Sequence, residues 1–171
     1  MSTADRNLSD YDRSNLPDIS ALKFGIVVSK WNAEITNALK DGCVDTLKGH
    51  GASDENIFIV QVPGSFELPA GARMIDDKYN LDAVICLGCV IKGETSHNEY
   101  INQAVATGLV QLGIARSKPY IFGILTPDNQ KQARDRAGGK HGNKGVEAAV
   151  AAIEMATLKK ELQNSKKKIG F

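Results

Sequence analysis

From Lys23 onward the hydrophobic positions alternate between two rhythms. Short runs rich in Val, Ile and Phe at 24–29, 56–63, 83–92 and 120–126 read as strands, interrupted by glycine and separated by helix-compatible segments. In 32–48, Ile35, Leu39, Cys43 and Leu47 recur every four residues, which predicts an amphipathic helix with Asn32 as N-cap and Glu34 favourable in the first turn. The segment 66–77 is a weaker helix, because Pro69 is tolerated only in an opening turn and Gly71 costs helix propensity. Residues 98–115 carry Ile101, Val105, Leu109 and Leu112 at helical spacing, with Ala104, Ala106 and Ala115 permitting close packing. After 128–137, a Gly- and Lys-rich interruption at 138–145 precedes a long Ala-rich helix at 146–162. Alternating strands and helices predict a mostly parallel sheet covered on both faces.

The ends of the chain lack this order. Residues 1–20 are polar, carry Asp5, Asp10, Asp12 and Asp18, and read as a flexible arm or short edge segment. Leu8, Tyr11, Leu16 and Ile19 would let that arm order against a neighbouring subunit. Residues 166–171 form a basic tail, since Lys166, Lys167 and Lys168 follow Lys159 and Lys160 at a helix C-terminus, where positive charge is favourable. Residues 21–165 are left as one domain without an internal repeat. A chain of 171 residues is long enough to bury roughly 65–70% of its extended surface without a metal or disulfide.

Composition mainly excludes. With 21 Lys plus Arg against 20 Asp plus Glu, the chain has no global field for nucleic acid or an anionic membrane surface. No window approaches the roughly 18–20 apolar residues of a membrane span, and the first residues do not follow a secretory pattern, so the expected location is cytoplasmic. Cys86 and Cys89 have a CxxC spacing, but no second pair completes a zinc site, and residues three apart on a strand face opposite ways. Together with Cys43 they read as buried thiols, and no metal is expected.

In an open parallel sheet, ligands bind beyond the C-terminal ends of the strands. Four polar segments fall there: SKWN at 29–32, VPGSFE at 62–67, KGETSH at 92–97 and LTPDN at 125–129. Trp31 is either a partly buried core aromatic or a face for a planar ligand. Ser65, Phe66 and Glu67 are either an ordinary turn and helix cap or a polar clamp, with Glu67 accepting from ligand hydroxyl or N–H groups. Gly93 can permit a backbone conformation closed to larger residues, and the amides of Glu94 and Thr95 can face an anion. His97 is either a capping side chain or a proton-transfer group. The basic, Gly-rich stretch from Arg134 to Lys144 suits phosphate and suits a solvated loop equally. Neither GxxxxGK[ST] nor GxGxxG is present, which disfavours nucleotide hydrolysis and dinucleotide binding. His50 reads as a helix-end residue.

Taken in order, FGIVVSKWN from Phe24, VPGSFELP from Val62, GCVIKGETSH from Gly88, IFGILT from Ile121 and RAGGKHGNKG from Arg136 resemble the 6,7-dimethyl-8-ribityllumazine synthases of riboflavin biosynthesis over nearly all of 23–158. The resemblance implies an α/β three-layer sandwich with a central, mainly four-stranded parallel sheet, flavodoxin-like in general form. It implies condensation of 5-amino-6-(D-ribitylamino)uracil with 3,4-dihydroxy-2-butanone 4-phosphate, with no cofactor. By motif position, Trp31 matches the residue stacked on the pyrimidine, with Asn32 beside it; Ser65, Phe66 and Glu67 match the ribityl-holding segment; Val90 and Ile91 flank the ring. Glu94 and Thr95 match the phosphate-loop amides and His97 the proton-transfer histidine. Phe122, Arg136 and Lys144 match groups supplied by an adjacent subunit, Arg136 being the main phosphate ligand, and Glu147 an acidic residue near that charge.

Two positions depart from common family spellings: Ser96 stands where proline is frequent, and Trp31 where phenylalanine is frequent, which would strengthen stacking on lumazine or riboflavin. The resemblance further implies a homopentamer. The compact loop at 137–145 favours closure into a hollow shell of 60 subunits, for which riboflavin synthase is a conceivable cargo. A noncatalytic flavin- or lumazine-binding protein, against which His97 and Arg136 argue, and a chiefly structural shell subunit are the competing readings, separated by lumazine formation from the two substrates.

Overall fold

The computed structural model describes residues 7, 9–12 and 16–166. Asp5 and Leu8 of the expected arm, and Lys167 and Lys168 of the basic tail, lie outside the described residues, as does the side chain of Lys166. Four strands, β1 (Phe24–Ser29), β2 (Ile57–Val62), β3 (Ala83–Cys89) and β4 (Tyr120–Leu125), form one parallel sheet in the order β2-β1-β3-β4. The helices α1 (Ala33–Gly49), α2 (Leu68–Tyr79) and α3 (His97–Arg116) make the crossovers. A short α4 (Gln130–Asp135) and a two-stranded antiparallel ribbon, β5 (Ala137–Gly139) with β6 (Gly142–Asn143), lead into α5 (Lys144–Lys166).

The period of two along the central strands divides the core. Phe24, Ile26 and Val28 of β1, with Ala83, Ile85, Leu87 and Cys89 of β3, face α1 and α5, meeting Ile35, Leu39, Cys43, Leu47, Ala149 and Ile153. Val27, Val84 and Cys86 face the other way, against Leu68, Ala72 and Ile75 of α2 and Val105 and Leu109 of α3. Helices therefore cover both faces, as the alternating pattern predicts. The two cysteines of the CxxC spacing fall on opposite faces, and all three thiols are free and buried. Burial pushes their pKa values up, that of Cys89 to about 11.

Two expectations change in detail. Gly71 is not a weak point of α2: a Cβ there would stand 2.6 Å from Val62 Cγ1 and 3.0 Å from Val27 Cγ1, so its absence lets the helix lie close on the sheet. The Gly-rich interruption at 138–145 is largely ordered as the β5–β6 ribbon, and α5 begins at Lys144, two residues earlier than the apolar pattern indicates. Leu16 packs against the α1/α5 core and Ile19 lies within it. Tyr11 Oη lies 3.1 Å from Nε2 of His50, which follows α1 at its C-cap.

Candidate active site

The strand order reverses direction between β1 and β3, and a cleft of about 640 Å³ opens at the C-terminal ends of β1, β2 and β3. Its first wall is the β1–α1 turn. Trp31 is 73% exposed, which removes the reading of a core aromatic and leaves its face open to the cleft. Asn32 occupies the N-cap position of α1 but adopts a left-handed conformation (φ 58°), and its side chain does not cap the helix. Its Nδ2 instead donates to the Cys89 carbonyl at 2.9 Å, tying the turn to the end of β3.

The second wall is a single 3-10 turn at Ser65–Glu67, where the chain leaves β2. Oε2 of Glu67 accepts from the Gly64 N–H at 2.9 Å, so one carboxylate oxygen holds the loop and the other is left for a donor in the cleft. Ser65 is buried and Phe66 is 60% exposed, and the Ser65 Oγ has no hydrogen-bond partner among the described residues. A buried hydroxyl in that condition is costly until a ligand or water satisfies it.

The third wall is the β3–α3 connection. Strand β3 stops at Cys89, so Val90 and Ile91 belong to the loop and line the cleft with Gly93, Thr95 and His97. Gly93 does not need its conformational freedom: it has no left-handed backbone, and a Cβ there would enter open space. His97 is exposed at the first position of α3, its N–H 3.5 Å from Thr95 Oγ1, so the imidazole is free to meet a substrate. Glu94 is exposed but does not line the cleft. Asn98 and Ile101 do line it, and the sequence motifs single out neither. Ile101 stands one helical turn after His97, and Asn98 one turn before Ile101, which is the available signal.

Four candidates lie elsewhere. Phe122 packs against the α2/α3 core, whereas Arg136, Lys144 and Glu147 gather beyond α4, around the start of α5. Arg136 Nη2 stands 2.7 Å from Glu147 Oε1, an ion pair rather than an aligned hydrogen bond, and Lys144 Nζ donates to Glu147 Oε2 at 3.1 Å. Arg136 Nη1 also donates to the His141 carbonyl at 2.8 Å. Two cations against one carboxylate leave the cluster net positive and suited to an anion. None of the four lines this chain's own cleft. Among the described residues no group of His, Cys, Asp and Glu is placed to hold a metal ion.

One chain thus presents an exposed aromatic face, a carboxylate and an imidazole in one place, and a net-positive cluster in another. Comparison with known proteins gives the family. The family model described as 6,7-dimethyl-8-ribityllumazine synthase matches residues 21–160. Relatives named 6,7-dimethyl-8-ribityllumazine synthase include one from Cytophaga hutchinsonii, 53% identical over 91% of this chain and 97% of its own length. Another, from Parabacteroides distasonis, is 50% identical over 92% and 99%, and one from Porphyromonas gingivalis is 48% identical over 94% and 99%. The chain belongs to the 6,7-dimethyl-8-ribityllumazine synthase family.

Proposed function

We propose that the chain condenses 5-amino-6-(D-ribitylamino)uracil with 3,4-dihydroxy-2-butanone 4-phosphate at a site completed by a second copy of itself. The observation that carries this reading is the separation of the cleft holding Trp31, Glu67 and His97 from the Arg136–Glu147–Lys144 cluster of the same chain. The pyrimidine stacks on Trp31 between Asn32, Val90 and Ile91, and the ribityl chain lies along Ser65, Phe66 and Glu67. The phosphate sits at the Glu94 and Thr95 amides, facing Arg136 and Lys144 of the neighbour, with Phe122 of the neighbour closing the ring pocket.

The substrate supplies its own nucleophile. Its 5-amino nitrogen attacks the ketone carbon to form a carbinolamine, which loses water to give an imine. Phosphate then leaves by elimination, the product tautomerises, and the ribityl-bearing nitrogen closes the second ring with loss of a second water. His97 carries protons between these steps, while Arg136 stabilises the departing phosphate. Much of the acceleration comes from holding two small molecules together, since orientation alone is worth several kcal/mol. No step calls on a cofactor, and nothing in the charge balance calls for nucleic acid or a membrane as partner. Riboflavin, with a related ring and the same side chain, fits the Trp31 face as a further ligand.

Assembly finds support in exposed apolar surface. Val110, Ile114, Met155, Leu158 and Leu162 line a groove of about 560 Å³ between α3 and α5, an unusual exposure for a monomer. We read the assembly as a homopentamer closed into a 60-subunit shell able to enclose riboflavin synthase, in keeping with the compact ribbon whose strands only Lys140 and His141 connect. Sedimentation of the purified protein is expected at the mass of the shell; a single species at pentamer mass would overturn it. The three unpaired thiols suit a cytoplasmic setting, and no described helix is long and apolar enough to cross a membrane.

The shared site is tested by mixing variants. His97→Ala alone is expected to lose about 10²-fold in kcat, the low end of general acid–base effects because the nucleophile needs no activation. Arg136→Ala is impaired at the opposite half of the site. Co-refolded at equal amounts, the two are expected to recover about a quarter of parental activity, because a site between random neighbours draws both intact halves about one time in four. Activity no greater than the sum of the separate variants would show that each chain works alone.

A further inference from the structure

The direction of Arg136 is not set by a helix or strand. It is the C-cap of α4, where its N–H donates to the Ala133 carbonyl at 3.2 Å; beyond that backbone anchor three grips hold it: its carbonyl accepts from the Lys144 N–H at 2.9 Å, its Nη1 donates to the His141 carbonyl, and its Nη2 pairs with Glu147. All three partners lie within residues 141–147. Whatever fixes that stretch fixes the guanidinium.

Asn143 fixes it. Its Oδ1 accepts from the Gly145 N–H at 2.8 Å, capping the first turn of α5, and its Nδ2 donates to the Ala38 carbonyl of α1 at 2.9 Å. Its backbone faces an N-terminal segment. The Ser9 hydroxyl accepts from the Asn143 N–H and donates to the Asn143 carbonyl at 3.2 Å, while the Ser9 N–H donates to Asn7 Oδ1 at 3.0 Å. A two-stranded ribbon is marginal by itself, and Ser9 acts on its open edge as a third strand would. Three glycines clear the room. A Cβ on Gly42 would stand 2.7 Å from Asn143 Nδ2, one on Gly145 would overlap the Leu39 carbonyl, and one on Gly142, whose φ is 85°, would collide with Asn7 and Ser9.

We propose that Asn143 and Ser9 are positioning residues for phosphate recognition: the N-terminal segment clasps the β5–β6 ribbon and thereby aims Arg136 at the phosphate of the neighbouring site. This rests on the reading of Arg136 as a phosphate ligand. Neither residue touches substrate.

The test uses the full chain, with the KM of each substrate and the competitive inhibition constant of inorganic phosphate, which reports affinity where KM departs from it. Ser9→Ala removes two neutral hydrogen bonds and is expected to raise the KM of the phosphate substrate and the phosphate inhibition constant about three- to tenfold. Asn143→Asp keeps the cap on Gly145 but turns a carboxylate oxygen against the Ala38 carbonyl, and is expected to raise both by about tenfold or more. For both variants kcat falls in the same sense as in Arg136→Ala but by less, while the KM of the uracil substrate stays within about twofold, a split between the two substrates that general loosening of the fold would not produce. Arg136→Ala is measured alongside, and Ser9→Ala added to it should change phosphate affinity no further. Unmoved phosphate constants in Ser9→Ala and Asn143→Asp, or an equal rise for both substrates, would overturn the clasp while leaving Arg136 in place. An unmoved phosphate constant in Arg136→Ala would remove the reading of Arg136, and the clasp with it.

Discussion

Replacing Arg136 by alanine is expected to lower kcat/KM by about 10²–10³-fold, more than any other single substitution at the site. A charge-assisted hydrogen bond is worth about 1.5–3 kcal/mol, and a guanidinium makes two to one phosphate in a fixed fork. The loss should appear in both kinetic parameters, since the phosphate is held in the ground state and departs as an anion in the reaction. The local geometry adds to it. Glu147, now paired to Arg136 at 2.7 Å and to Lys144 at 3.1 Å, would keep only the lysine, and the cluster would fall from net positive to neutral. Arg136→Lys separates charge from geometry: it restores the sign but not the fork, and is expected to recover about a tenth of the lost activity. A kcat/KM for Arg136→Ala within about threefold of the parent would mean that the phosphate is held by the Glu94 and Thr95 loop alone.

What the sequence made legible follows the range of the forces involved. The strands of the sheet could be placed within three residues because β1 and β3 are buried on both faces and must be apolar throughout, and α1 because Ile35, Leu39, Cys43 and Leu47 mark a single face. The positions of Trp31, Ser65 and His97 around one cleft were legible from topology, since all follow strand ends. Their meaning was not: exposure removed the core reading of Trp31, and only the family pattern pointed to Arg136. The unread features depend on contacts distant in sequence. Asn32 passes for an ordinary N-cap until Cys89, 57 residues away, takes its amide. Ser9 lies in a stretch without periodicity, and its partner is 134 residues along. Asp76, near the solvated end of an amphipathic helix, gives no sign that it is the most deeply buried charge in the protein's described core.

That carboxylate carries the second large expectation. The side chain of Asp76 has no exposed surface, and it accepts from Tyr120 Oη at 2.6 Å, Lys118 Nζ at 2.5 Å and the Leu81 N–H at 3.2 Å, with Arg116 Nε at 3.7 Å. Burial by itself would raise its pKa; the hydrogen bonds from Lys118 and Tyr120 outweigh it and hold the group below the ordinary carboxylate value. Asp76→Asn keeps the shape but removes the charge, leaving the Lys118 ammonium, 8% exposed, facing a neutral amide. Breaking one side of a buried pair costs about 3–5 kcal/mol. For a chain of this size that lowers the melting midpoint by roughly 6–20 °C, compared at one protein concentration because assembly also stabilises.

The pH dependence identifies the cause. Because the folded pKa of Asp76 is depressed, its contribution is complete above about 3.9, the unfolded value, and is lost as pH falls through the folded one, so the gap between parent and variant should close only in strong acid. Tyr120 has the opposite sign. Burial, with the hydrogen bond to Asp76, raises its pKa, so its contribution is complete below about 10 and is lost as pH rises above that value. The cluster joins the end of α2 to the start of β4, at the end of the sheet opposite the cleft, so kcat/KM of Asp76→Asn well below its midpoint should stay within about twofold of the parent. A midpoint within about 2 °C of the parent at neutral pH would show that Lys118 and Tyr120 find other partners, and that this buried charge is not what holds the far end of the sheet.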